Sequence, residues 1–124
     1  MTPRKYELIG EPRGDGLRRI RALVAIGDDV SPGDTGGWVQ SEANLSHAGD
    51  AWVRDNAQVR DNAQVYGSAQ VYGEAWVSDN ARVYGDAWVF DDSWVYGDAR
   101  VHGDARVCFG HLPRNLREIG EDDE

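Results

Sequence analysis

From residue 51 to residue 107 a valine recurs at every sixth position: 53, 59, 65, 71, 77, 83, 89, 95, 101 and 107. Two residues before each valine stands alanine, except at Ser93. A helix repeats near 3.6 residues and a flat strand near 2, so a period of six needs another explanation. In an extended segment alternate side chains share a face, so Ala and Val point one way and the residues flanking Val point the other. Each unit then closes on Gly or Asp followed by Asn, Asp, Ser or Glu, which is turn chemistry. Four extended residues and a corner, repeated, trace a polygon. Three units, or 18 residues, close a triangular coil whose neighbours stack as parallel strands. An antiparallel meander would reverse every six residues and leave strands of about four residues with little core.

Two looser units, Gly37-Trp38-Val39 and Ala43-Asn44-Leu45, precede the regular ones. Leu45 and Val53 are eight apart, which places two extra residues in a bulge or short loop near Ser46-His47. An open coil exposes strand edges, so both ends need covering. Apolar positions alternate at Tyr6 and Leu8, and at Ile20, Ala22, Val24 and Ile26, around Gly14-Asp15-Gly16; this predicts an N-terminal β-hairpin cap. Leu112, Leu116 and Ile119 fall at helical spacing after Pro113 and predict a short C-terminal helical lid over Val107 and Phe109. The chain divides into a cap and lead-in (1–36), the repeats (37–107), and a C-terminal cap with an acidic tail (108–124).

The pattern over 37–107, an aliphatic residue every sixth position with a small residue two before it, resembles the hexapeptide-repeat family. That resemblance implies an all-β fold, a single-stranded left-handed parallel β-helix; the handedness comes from the family alone. The lead-in Leu17-Arg18-Arg19-Ile20-Arg21-Ala22-Leu23, with Gly27-Asp28 and the run Gly33-Asp34-Thr35-Gly36-Gly37-Trp38-Val39-Gln40, is similar to the start of small phage and prophage proteins with A-x-V-x-G-D repeats.

Charge narrows the function. The 124 residues carry a net charge of −9, which argues against direct nucleic-acid binding. The charge is uneven: the first 27 residues hold six Lys/Arg against three acids, whereas residues 50–107 hold ten acids against five arginines. A lone cysteine, Cys108, excludes a disulfide framework and a cysteine-based zinc site. No apolar run suits a signal peptide or a membrane span, so no membrane partner and a cytoplasmic location, in a host cell, are expected.

Residues 18 apart should lie over one another, which turns the repeats into a surface map. The outward positions include Trp52, Tyr72, Trp88 and Phe90 on one face and Trp76, Trp94 and Tyr96 on the next. Tyr66, Tyr84 and His102 line the third. Trp76 with Trp94, Tyr72 with Phe90, and Tyr66 with Tyr84 and His102 are expected to form ladders. Such ladders stabilise a sheet face, and outward Trp and Tyr also anchor protein interfaces. The corners carry Asp55, Glu74, Asp91 and Asp92; then Asp61, Asp79 and Asp98; then Asp86 and Asp104. Asp serves corners because it bonds local backbone and tolerates left-handed φ. Columns of carboxylates are costlier, since like charges about 5 Å apart repel by roughly 1 kcal/mol even in water. Spaced negative charge along a rod resembles a nucleic-acid backbone.

Hexapeptide-repeat acyltransferases are trimers that use a catalytic His and a coenzyme A thioester. The histidines here are His47, His102 and His111. His47, in the irregular segment, is the best candidate base. No Ser/His/Asp spacing, phosphate loop or metal-ligand cluster is present, and no loop converges the six to eight oxygens a hard cation wants. No cofactor is expected. The resemblance and the charge together imply a non-enzymatic inhibitor, a DNA mimic of the anti-CRISPR kind. Its acidic columns would occupy the basic groove of a nucleic-acid-binding protein such as a CRISPR effector, with the rod a monomer or small homo-oligomer. A trimeric acyltransferase and a structural assembly protein are the competing classes.

Overall fold

The computed structural model describes residues 4–14, 16–27, 30–107 and 118–119. Along the chain run β1 (Tyr6–Ile9), β2 (Arg18–Ala22), β3 (Thr35–Val39), a 3₁₀ turn (Glu42–Asn44), β4 (Trp52–Val53), β5 (Gln58–Val59) and β6 (Gln64–Val65). There follow β7 (Gln70–Val71), β8 (Trp76–Val77), β9 (Arg82–Val83), β10 (Trp88–Val89), β11 (Trp94–Val95), β12 (Arg100–Val101), β13 (Arg106–Val107) and β14 (Glu118–Ile119). These build an all-β solenoid of about four turns with three sheet faces, ordered β4-β7-β10-β13, β3-β5-β8-β11 and β6-β9-β12-β14. The second face is extended by β2 and β1, which pair antiparallel with β3 and with each other.

Within the repeats the strands pair in parallel between residues 18 apart, as in Gln58 with Trp76 and Trp76 with Trp94. Across the irregular segment the offset is 20: Trp38 pairs with Gln58, and Leu45 bridges Val65. The two extra residues are absorbed in the bends after Leu45, and the faces stay in phase beyond them. Each Val of the series and its preceding Ala or Ser is buried. Ser93 differs from the alanines it replaces in placing its hydroxyl within reach of the Phe90 and Val107 carbonyls, at 2.7 and 2.9 Å.

The residues that flank each valine donate their backbone N–H to the following turn. Trp52 N–H donates to Ala69, Arg54 to Val71, Gln70 to Ala87 and Tyr72 to Val89. Ala69, Val71, Ala87 and Val89 turn their carbonyls to the preceding turn, and the first turn has no complete preceding turn to donate to its own such carbonyls. Residues near the N-terminus supply donors to them. Lys5 Nζ donates to Ala51 and Gly49, Tyr6 Oη to Leu45 and Glu42, and Arg19 to Gly36 and Asp55. Asn44 Nδ2 donates to Ala63 and Asp61. The positive charge of the lead-in therefore has a structural use at the first turn of the solenoid.

Three expectations change. β2 ends at Ala22, and Val24 beyond it is exposed, because the chain there turns into the Ile26–Val30 bridge. Trp52 is buried where an outward face was expected. The Tyr6 ring meets it edge-on at 6.3 Å, and Gly36 lies so close that a Cβ there would sit 2.7 Å from the indole. The first turn is thus overlaid by the lead-in. The lid residues Leu112 and Leu116 lie outside the described residues, and Ile119 belongs to a strand and not to a helix. It pairs in parallel with Val101, 18 residues earlier, because position 119 continues the six-residue phase of Val107.

Candidate functional site

Each corner of the repeats uses a left-handed residue first. Positive φ occurs at Asp55, Asp61, Asp79 and Asp91, and at Gly67, Gly73, Gly85, Gly97 and Gly103. Aspartate is one of the few residues with a side chain that tolerates this region. Here it does more. Asp55 Oδ2 accepts the Gly73 N–H at 3.1 Å, Asp61 Oδ2 that of Asp79 at 3.2 Å, and Asp79 Oδ2 that of Gly97 at 3.0 Å. These three carboxylates tie one turn to the next. In the remaining column, Gly49 and Gly67 approach so closely that a Cβ on Gly49 would lie 2.4 Å from the Gly67 carbonyl oxygen.

The second corner position carries no positive φ, and its residues change along the rod. The first set is neutral: Asn56, Asn62 and Ser68. The next is Glu74, Asn80 and Asp86, and the last is Asp92, Asp98 and Asp104. Asn56 Nδ2 donates to Glu74 Oε2 at 3.1 Å. Every candidate acid, Asp55, Asp61, Glu74, Asp79, Asp86, Asp91, Asp92, Asp98 and Asp104, is solvent-exposed. Negative charge therefore accumulates away from the basic lead-in.

The aromatic candidates divide into three groups. Trp76 and Trp88 are exposed; Tyr72, Phe90, Trp94 and Tyr96 are half-buried; Trp52 is buried. Tyr72 and Phe90 stack at 5.1 Å, Tyr66 and Tyr84 at 5.0 Å, and Tyr84 and His102 at 5.3 Å. Burial, the largest influence, raises the Tyr72 hydroxyl pKa. Trp76 and Trp94 instead meet at 77° with centroids 6.1 Å apart, in a T-shaped pair and not a parallel stack. Trp94 Nε1 donates to the buried Ser78 hydroxyl at 3.2 Å, a bond that fixes its ring plane. Sequence reasoning also missed the arginine–indole contacts: Arg106 lies 4.2 Å over Trp88, and Arg13 and Arg19 lie 4.4 and 4.7 Å over Trp38.

His47 sits in a cluster with Lys5, Tyr6 and Glu42. Its ring stacks on Tyr6 at 4.2 Å. Its Nδ1 accepts the Lys5 backbone N–H at 3.0 Å, which leaves the proton on Nε2, 2.7 Å from Glu42 Oε1. Nδ1 thus holds the lead-in against the irregular segment, and Nε2 ties that segment to Glu42 of the 3₁₀ turn. Burial lowers the Lys5 pKa to about 8, opposed by the Asp50 charge, and burial pushes the Tyr6 hydroxyl well up, helped by Glu42. The signal for Lys5 was its place in a basic lead-in beside a parallel coil. His111 and Cys108 lie outside the described residues.

Among the described residues no group of three or more His, Cys, Asp or Glu is placed to hold a metal ion, and no helix is long and apolar enough to cross a membrane. The sequence model of a family described as YdcK Beta solenoid repeat matches residues 75–91, a span that holds β8, β9 and β10. No curated protein matches the chain.

Proposed function

We propose that this chain is a non-enzymatic binding protein that occupies the basic DNA-binding groove of a partner, as a DNA mimic does. The rod is read as a left-handed helix of triangular 18-residue coils, with β1 and β2 as its cap. The observation that carries the reading is the second corner position. Left-handed backbone and cross-turn bonds account for Asp55, Asp61 and Asp79. They do not account for Asp86, Asp92, Asp98 and Asp104, where neutral Asn or Ser serves the same corner one or two turns earlier. Exposed carboxylates that repeat along a rigid axis raise the local potential and steer a basic surface toward them. A CRISPR effector complex in the cytoplasm of a phage-infected host is the kind of partner this names, with no direct contact to nucleic acid or membrane.

The test is capture of partners from a host lysate, followed by a competition assay on the captured complex with fluorescent duplex DNA. The expected result is a nucleic-acid-binding complex that releases its DNA as the protein is added, less so at high salt. A captured complex that keeps its DNA, or turnover of a coenzyme A thioester by the protein, would overturn the reading.

A further inference from the structure

We propose that the cleft beside the crossed Trp76 and Trp94 indoles, lined also by Glu74 and Asp92, takes an arginine side chain of a protein partner. The inference rests on the reading of this chain as a binder of a basic partner, and it names the chemistry of one contact. The open cleft has a volume of about 370 Å³ and is lined by Glu74, Trp76, Asp92, Ser93 and Trp94. Trp76 is 40% exposed although it belongs to a paired strand. The T-shaped ring geometry keeps the two indoles from covering each other face to face. Glu74 and Asp92 occupy the same corner position one turn apart, and both are exposed.

Those parts select a flat cation. An indole face attracts a cation through its quadrupole, and a guanidinium also stacks on it. A carboxylate pair beside the ring offers acceptors for the guanidinium N–H fork. The chain itself packs its indoles this way: Arg106 covers Trp88, and Arg13 and Arg19 cover Trp38. Among the described residues no arginine lies over Trp76. A metal ion is a poor match, since two carboxylates without a third ligand lie beside indoles that donate no lone pair. A nucleic-acid strand is a poor match as well: the indoles could stack a base, but the carboxylates would repel its phosphates.

The probe is a short Arg-Gly repeat peptide, with the same peptide carrying citrulline or lysine in place of arginine. The full chain is labelled with ¹⁵N, and the five indole N–H signals are assigned by single Trp substitutions. The expected result is a saturable shift of the Trp76 and Trp94 signals with the arginine peptide, absent with citrulline and weaker with lysine. Trp76→Leu, and separately the pair Glu74→Gln with Asp92→Asn, should weaken binding about tenfold, while Asp86→Asn with Asp104→Asn at another corner should leave it unchanged. Retained melting temperatures show that these variants fold. Equal shifts with citrulline, or binding indifferent to Trp76→Leu and to the acid pair, would overturn the proposal. DNA displacement that survives those substitutions, with no response to the peptide, leaves the DNA-mimic reading standing and removes this site. Peptide binding through Trp76 by a protein that displaces no DNA does the reverse.

Discussion

The carboxylate of Asp61 accepts the backbone N–H of Asp79, one turn further along the solenoid, at 3.2 Å. Asp79 repeats the bond with Gly97. One residue type thereby answers two demands, a left-handed backbone at φ 56 to 59 and an acceptor for the next turn's amide. Asparagine meets both demands, because it visits the left-handed region and its Oδ1 can accept the same bond. Asp61→Asn with Asp79→Asn should therefore unfold in urea at a midpoint equal to or slightly above wild type, since like charges are removed. Asp61→Ala should lose about 1–3 kcal/mol, from left-handed strain and an amide left without its acceptor. Equal midpoints for Ala and Asn would show that the cross-turn bond contributes nothing.

Trp52 and Trp88 lie two turns apart on the same face, each paired with the Gln70 strand between them. Trp52 is buried beneath the lead-in and Trp88 is 39% exposed. Trp52→Ala should cost about 3–5 kcal/mol, the range for a large core aromatic. Trp88→Ala should cost about 1 kcal/mol or less, mostly through the lost Arg106 contact. Chemical denaturation of both variants checks the ordering.

The lead-in should give the fold an alkaline stability maximum. Lys5 holds its proton only to about pH 8 when folded, against an ordinary 10.5. Between those values the unfolded chain binds a proton that the folded chain has released, so stability rises with pH across that window. Tyr6 acts in the opposite sense. Its folded pKa is raised above the ordinary 10.0, so above pH 10 the unfolded chain loses a proton that the folded chain keeps, and stability falls. Unfolding free energies measured from pH 7 to 11 should rise and then fall. Lys5→Met should abolish the rise, and Tyr6→Phe should blunt the fall.

The second-position acids should matter to binding and not to folding. Asp92→Asn, Asp98→Asn and Asp104→Asn together restore the neutral chemistry of Asn56, Asn62 and Ser68 at the same corners, so melting temperature should hold or rise. Displacement of DNA from a basic partner should weaken, and its salt dependence should flatten because the screened charges are gone. Unchanged displacement at low salt by this variant would leave those carboxylates as corner chemistry alone.

The regular part of the molecule was legible because its information is local and repeated. The Ala and Val positions, the corner residues and the Tyr72–Phe90 and Tyr66–Tyr84–His102 ladders follow from a period of six and alternation within it. Two of the departures come from contacts that the period does not encode. Trp52 reads as outward until the lead-in is folded over it. The Trp76–Trp94 angle depends on Ser78, two residues past Trp76 on the adjacent strand. Ile119 sits at helical spacing from Leu112 and Leu116, yet it is also twelve residues from Val107, and the second relation prevailed. At the candidate site, charge and exposure could be read from sequence; the cleft beside two crossed indoles could not.

The repetition of one parallel register from turn to turn makes the rod extensible. Every internal turn meets its neighbours through the same positions in the same register, so any turn is an acceptable neighbour for any other. Among the described residues the first turn is the specialised one, through Lys5, Tyr6, Arg19 and Asn44. Loss or duplication of a whole 18-residue segment within the repeats would leave that specialised end untouched and every face in phase. Such a change would shift how far the acidic corners stand from the basic end by about 4.8 Å per turn, the spacing of adjacent strands. The length of the molecule is thus a ruler that whole-turn insertions and deletions can reset without redesigning the fold.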